Sequence, residues 1–203
     1  MRSAALLLFA ATALAGCNAQ PGGSNAAAPE NAAVEKAGDL RPAFTFPPET
    51  IAKLNQFGYR LDNYRRQADE SFAAKGAAIT LSQSDATHPN SGTVEVTGKI
   101  AATIEHITFV LALTDDANSD TAKQRFTDIV NAFLFQYGVK DKVTLDAIAK
   151  AVVNERDASG LIGNFPVAVA VEKDKSPRRI AVTFQRLPVT APAEAAVQNT
   201  QQP

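Results

Sequence analysis

Residues 93–113 read TVEVTGKIAATIEHITFVLAL, and the phase of their apolar side chains decides the fold. Val94, Val96, Ile100, Ala102 and Ile104 are apolar on even numbers; Ile107, Phe109, Leu111 and Leu113 then take over on odd numbers. A strand alternates faces with a period of two, so it cannot change phase without an extra residue. One strand over this span would also run about 70 Å at ~3.3 Å per residue, far beyond the usual length. The stretch therefore reads as two strands with a bulge or turn between Ala101 and His106. So short a connection implies antiparallel pairing.

Upstream, Ile79 and Leu81 alternate with Thr80 and Ser82 as a further strand, followed by a polar loop from Ser84 to Gly92. Before that, Ile51, Leu54, Phe57, Leu61, Tyr64, Ala68 and Phe72 recur at helical steps. Pro47 and Pro48 suit a first turn and Gly76 follows the last apolar position, so one long helix is expected; Gly58 costs about 1 kcal/mol inside it and leaves room for a kink or a frayed start there. Downstream, Asp115–Asp120 reads as a cap region, and Ala122, Phe126, Ile129, Val130, Phe133 and Leu134 repeat helically until Gly138. Thr144 is expected to cap a second helix with Leu145, Ile148, Ala149, Val152 and Val153 inward. Residues 157–163 read as a loop. The chain then forms a hairpin of 166–173 and 179–187, turning around Lys175-Ser176-Pro177. The order α-β-β-β-α-α-β-β predicts an α+β fold: one antiparallel sheet of about five strands with three helices on one face.

Residues 18–44 and 188–203 are rich in Ala, Pro, Gln, Asn and Gly and lack an apolar period. They read as a linker and a tail around one domain, 45–187. The chain opens with Arg2, an apolar run from Ala4 to Ala15, and small residues before Cys17, its one cysteine. That run is too short to span a bilayer, which needs about 20 apolar residues, but it has the layout of an export signal. Leu14-Ala15-Gly16-Cys17 resembles the lipobox of bacterial lipoproteins. The resemblance implies cleavage of the signal peptide 1–16 and acylation of Cys17, so that membrane lipid is the first partner. It also implies a cell-envelope, periplasm-facing location. Asn18 rather than aspartate after the cysteine points to the outer membrane.

With 20 Lys+Arg against 21 Asp+Glu, the chain offers no field for nucleic acid. A single cysteine forbids an intramolecular disulfide, so a packed core must stabilise the fold. Asp116, Asn118 and Asp120 alternate oxygens as calcium loops do, and are the candidate metal ligands. The sixth and twelfth places of such a loop are Thr121 and Thr127 where glycine and glutamate are needed, and Asn118, Ser119 and Asp120 equally suit a helix start. His88 and His106 are the only histidines and have no metal-ligand spacing. Ser84, Asp85 and His88 carry the letters of a hydrolase triad, but three residues of one turn do not reproduce its geometry. Lys173, Lys175, Arg178 and Arg179 crowd the last hairpin turn, facing either solvent or an anionic surface. No catalytic residue and no cofactor are expected. The sequence suggests a non-enzymatic binding or interaction module with an envelope protein as partner. The alternative is a small-molecule binder or an enzyme with a cleft between helices and sheet.

Overall fold

The computed structural model of the protein describes residues 38–187. The signal segment, Cys17, the linker up to residue 37 and the tail 188–203 lie outside the described residues. Four α-helices and eight strands are described: α1 Arg41–Thr45, α2 Pro47–Asn55, β1 Arg65–Arg66, β2 Phe72–Lys75, β3 Ile79–Ser82, β4 Asn90–Gly98, β5 His106–Leu113, α3 Ser119–Phe135, α4 Lys142–Val153, β6 Ala158–Ile162, β7 Phe165–Glu172 and β8 Arg178–Gln185. The strands make one antiparallel sheet in the order β1-β2-β4-β5-β8-β7-β6, with β3 also on β4. The single antiparallel sheet is as expected, but it has eight strands rather than about five, and four helices rather than three.

The phase switch in residues 93–113 is a turn. β4 and β5 pair Val94 with Phe109 and Val96 with Ile107, and the connecting turn holds an isolated bridge between Ile100 and Thr103. Even residues of β4 and odd residues of β5 thereby face the same side, which is the helix side. Register carries the apolar rows across the sheet: Ala74, Val96, Ile107, Phe184, Val167 and Gly160 form one, and Val94, Phe109, Val182, Val169 and Ala158 the next. Phe109 is the hub of the core, with ring centroids 5.3 Å from Phe133 of α3 and 6.2 Å from both Tyr59 and Phe184. Each such fully buried aromatic contributes about 1.5–3 kcal/mol. The expected hairpin forms as β7 and β8.

The first helix is shorter than its apolar period predicts. It ends at Asn55, whose Oδ1 accepts from the Leu61 amide, and Gly58 (φ +90°) and Arg60 (φ +50°) then reverse the chain. Left-handed backbone at two positions breaks the helix, and Tyr64 and Phe72 are carried instead into a β1–β2 hairpin. β2 and β3 lie along one edge of β4, interrupted at Gly76, where Tyr59 crosses: Ala77 N donates to Tyr59 O, and a side chain at position 76 would press on Tyr59.

Other boundaries move for identifiable reasons. The expected linker stops short of residue 44, because Leu40, Ala43 and Phe44 are buried, and Phe44 stacks on Phe165 at 5.4 Å. The loop predicted up to Gly92 gives way to β4 at Asn90, whose buried amide bonds Ser82, Thr114 and Asp115. Asp141, not Thr144, caps α4; its carboxylate accepts from the Val143 and Thr144 amides, and the Thr144 hydroxyl donates back to it. Val153, expected inward, is exposed. Residues 158–162 are strand β6 rather than loop, joined to β7 through Gly163 (φ +59°). A glycine in this conformation at the first turn position suits a two-residue hairpin loop.

Candidate functional site

All the described helices lie on one side of the sheet, so among the described residues its other side is uncovered. Small and β-branched side chains, with Glu95 the exception, face outward there: Thr93, Val110, Ala181 and Ala170 in one row, Glu95, Thr108, Thr183 and Ala168 in the next. The Thr108 and Thr183 hydroxyls meet at 3.2 Å. Where the β1–β2 hairpin joins β4, this face deepens into a groove of about 560 Å³. Ala73, Lys75, Glu95 and Thr97 line it from the sheet, and Asp62, Arg65 and Asp69 from the hairpin. The groove carries both signs of charge. The Ser71 hydroxyl and amide hold the Asp69 carboxyl below its usual range, so Asp69 presents an anion at neutral pH. His106 pairs with Thr97 and stands half-buried in the row beside the groove.

The hairpin is fixed to the sheet by Tyr64. Its hydroxyl donates to Thr103 O at 2.8 Å, passing over Gly98, and its ring lies 5.8 Å from Phe72. A Cβ on Gly98 would collide with both the Tyr64 hydroxyl and the Thr103 carbonyl. Burial, aided by the Glu105 charge, pushes the Tyr64 phenol up to about 12.

The candidate calcium ligands do not converge. Asp116 pairs with Arg178, Asn118 Nδ2 donates to Asp115, and Asp120 pairs with Lys123 at 3.0 Å. Among the described residues no group of three or more His, Cys, Asp or Glu could hold a metal ion. Asn118, at the start of α3, makes no side-chain cap. Capping falls to Asp115, which accepts from the Ser84 amide and hydroxyl, the Ala117 amide and the Asn118 amide group. Those bonds, the Ser84 and Asn118 side chains foremost, lower its pKa to about 2. Ser84 thus faces Asp115, while Asp85 turns to Thr87 and His88, so the triad letters are not assembled.

The basic hairpin turn divides. Lys175 pairs with Glu172 at 2.9 Å, and Arg178 is drawn inward between Glu155 and Asp116. Lys173 and Arg179 stay exposed at the turn. Arg178 belongs to a chain of charges that sequence reading missed: Asp120, Lys123, Glu155, Arg178 and Asp116 follow one another. Lys123 is buried; burial pulls its ammonium down, but bonds to Asp120 and Glu155 outweigh this and leave its pKa raised. The legible signal was Lys123 on the same helical stripe as Phe126 and Val130. Glu155, at a left-handed turn after α4 (φ +47°), gives no sequence signal. The groove was hidden for another reason: its hairpin lay inside the expected helix.

Compared with known proteins, the chain matches no protein-family model, no curated protein and no solved structure.

Proposed function

We propose that the protein is a lipid-anchored envelope protein of the bacterial lipoprotein kind, acylated at Cys17, whose domain is a non-enzymatic binding module. The module binds through the uncovered face of the sheet, with the groove at β1, β2 and β4 as its centre. The observation that carries this reading is where the concavity lies. The interface between helices and sheet is filled by large apolar side chains, and the dimple that opens beside α4 is about 30 Å³. The outer face carries the groove of about 560 Å³, with both charge signs. Mixed charge over a small-residue sheet suits a polar protein surface, where complementary charges fix register more than they add affinity.

The anchor reading rests on Leu14-Ala15-Gly16-Cys17. Residues 18–37 would let the domain stand at most about 70 Å from the membrane at ~3.3–3.6 Å per residue. No helix among the described residues is long and apolar enough to cross a membrane. Asn18 after the cysteine favours the outer membrane, with the domain facing the periplasm.

Two experiments test the two halves. Cys17→Ser should abolish palmitate labelling and release the protein from the membrane fraction; a variant that stays bound overturns the anchor. Crosslinking in intact cells should join the wild type to an envelope protein. Thr97→Arg, which fills the groove, should lose that product while keeping the wild-type melting temperature. An unchanged crosslink overturns the groove as the binding face.

A further inference from the structure

Among the described residues seven large apolar side chains are exposed, and six of them gather at one end of the domain. Ile100 lies in the β4–β5 turn, Leu187 just past β8, and Leu161 beside the β6–β7 turn. α3 runs back from the far end of β5 and finishes at Phe135. Val143 stands in the first turn of α4, where the next residue, Thr144, donates to the Leu161 carbonyl. Phe46 follows α1, which closes the core at this end: the Phe44 carbonyl accepts from the Ile104 amide, and its ring stacks on Phe165. The seventh side chain, Val153, ends α4 on the opposite side of the domain. Single exposed apolar side chains are ordinary, whereas a group gathered at one end marks a contact surface.

The chain that leads to Cys17 joins the domain at this same end. The Asp39 amide donates to the Tyr137 carbonyl, two residues past α3. Gly38 lies so close to Gly138 that a Cβ on it would collide with that backbone. A tether attached here presents this end first to whatever holds its other terminus. The cations at this end already have carboxylates. Arg41 pairs with Asp39 at 3.2 Å, Lys142 with Asp146 at 3.0 Å, and Lys99 lies 3.9 Å from Glu105. Apolar side chains among neutralised charges suit the boundary between headgroups and acyl chains, and have no need of anionic lipid.

We infer that this end of the domain docks on the membrane, with its exposed apolar side chains set into the lipid interface. The inference rests on the acylated Cys17 and adds the orientation of the domain above the bilayer. Tethering keeps the face close to lipid, so a contact too weak to hold a free protein is populated. The strands then stand upright on the membrane. The outer face of the sheet and its groove stay open to a partner, while Lys173 and Arg179 point away from the lipid.

The test uses the full acylated chain in phosphatidylcholine vesicles that contain nitroxide-labelled lipid as a quencher. With Cys17 acylated, one added cysteine is the single free thiol for a fluorophore. Labels at Ile100→Cys and Val143→Cys should be quenched, and the label at Asp174→Cys, in the opposite hairpin turn, should not. Adding Ile100→Asp and Phe135→Asp to Val143→Cys should abolish its quenching at an unchanged melting temperature. High salt should leave the quenching intact, since the contact is apolar. Protein that does not float with the vesicles overturns the anchor, and this orientation with it. Protein that floats but is quenched at neither Ile100→Cys nor Val143→Cys, or equally at all three sites, overturns the docking alone. Shielding of both sites in native membranes without quenching in vesicles assigns the face to a protein and overturns the lipid contact.

Discussion

Lys123 Nζ lies 3.1 Å from Glu155 Oε1, and both side chains are largely shielded from water, at 8% and 14% exposure. The pair ties the second turn of α3 to the segment after α4, and Arg178 extends it to β8. Removing Glu155 leaves the buried ammonium with exposed Asp120 as its one carboxylate and the Val153 carbonyl beside it, and leaves Arg178 with Asp116 alone. Glu155→Ala should lower unfolding free energy by about 3 kcal/mol, read from the denaturant midpoint. Lys123→Met leaves Glu155 paired with Arg178 and should cost under about 1.5 kcal/mol. An equal cost for both would refute the asymmetry.

Gly98 is needed for its space, not its flexibility, because the Tyr64 to Thr103 bond crosses it. Gly98→Ala should destabilise the fold by about 1–3 kcal/mol, the usual range for overpacking. Tyr64→Phe should not rescue it, since the Thr103 carbonyl still blocks the methyl group. Gly160→Ala, with open space, should be close to neutral.

The three tyrosines, in a chain without tryptophan, give a direct alkaline readout. Burial raises Tyr59, and pushes Tyr64 and Tyr137 up to about 12. At pH 10.5 the native protein should show under about a tenth of its full phenolate absorbance, where exposed tyrosines would be more than half ionised. These folded pKa values lie above the unfolded one. Their stabilisation is therefore complete below about pH 10 and is lost as pH rises through about 12. Unfolding in that window should release the whole phenolate signal together.

Asp115 behaves oppositely. Its folded pKa of about 2 lies below the unfolded value, so its contribution is present above about pH 4 and fades as pH falls through about 2. Carboxyl NMR titration should find this group still ionised at pH 3. Asp115→Ala should speed exchange of the Ser84 amide well before global unfolding, since that amide loses its acceptor.

Much of the central sheet was legible because its strands are long and covered on one side. Val94 and Val96 against Ile107, Phe109 and Leu111, like Val167 and Val169 against Ile180, Val182 and Phe184, keep strict alternation. The margins were not. Tyr64 and Phe72 fall on helical spacing by coincidence, and β6 has no large apolar residue until Leu161, so neither announces a strand. The groove and the last strand of the described sheet are both built from such margins.

By itself, then, the sequence determined the phase switch within residues 93–113, the antiparallel pairing it forces, the extent of α3 and the last hairpin. These follow from local side-chain periodicity and short connections, which need no knowledge of distant partners. Only the tertiary structure decided that the first helix stops at Asn55, that Arg178 turns inward to Glu155, and that β6 ends the described sheet beside α4. Each of those depends on residues far apart in the chain. Tyr59 crosses the edge at Gly76, Lys123 and Glu155 draw in Arg178, and β6 pairs with β7 while the Thr144 hydroxyl of α4 takes its Leu161 carbonyl.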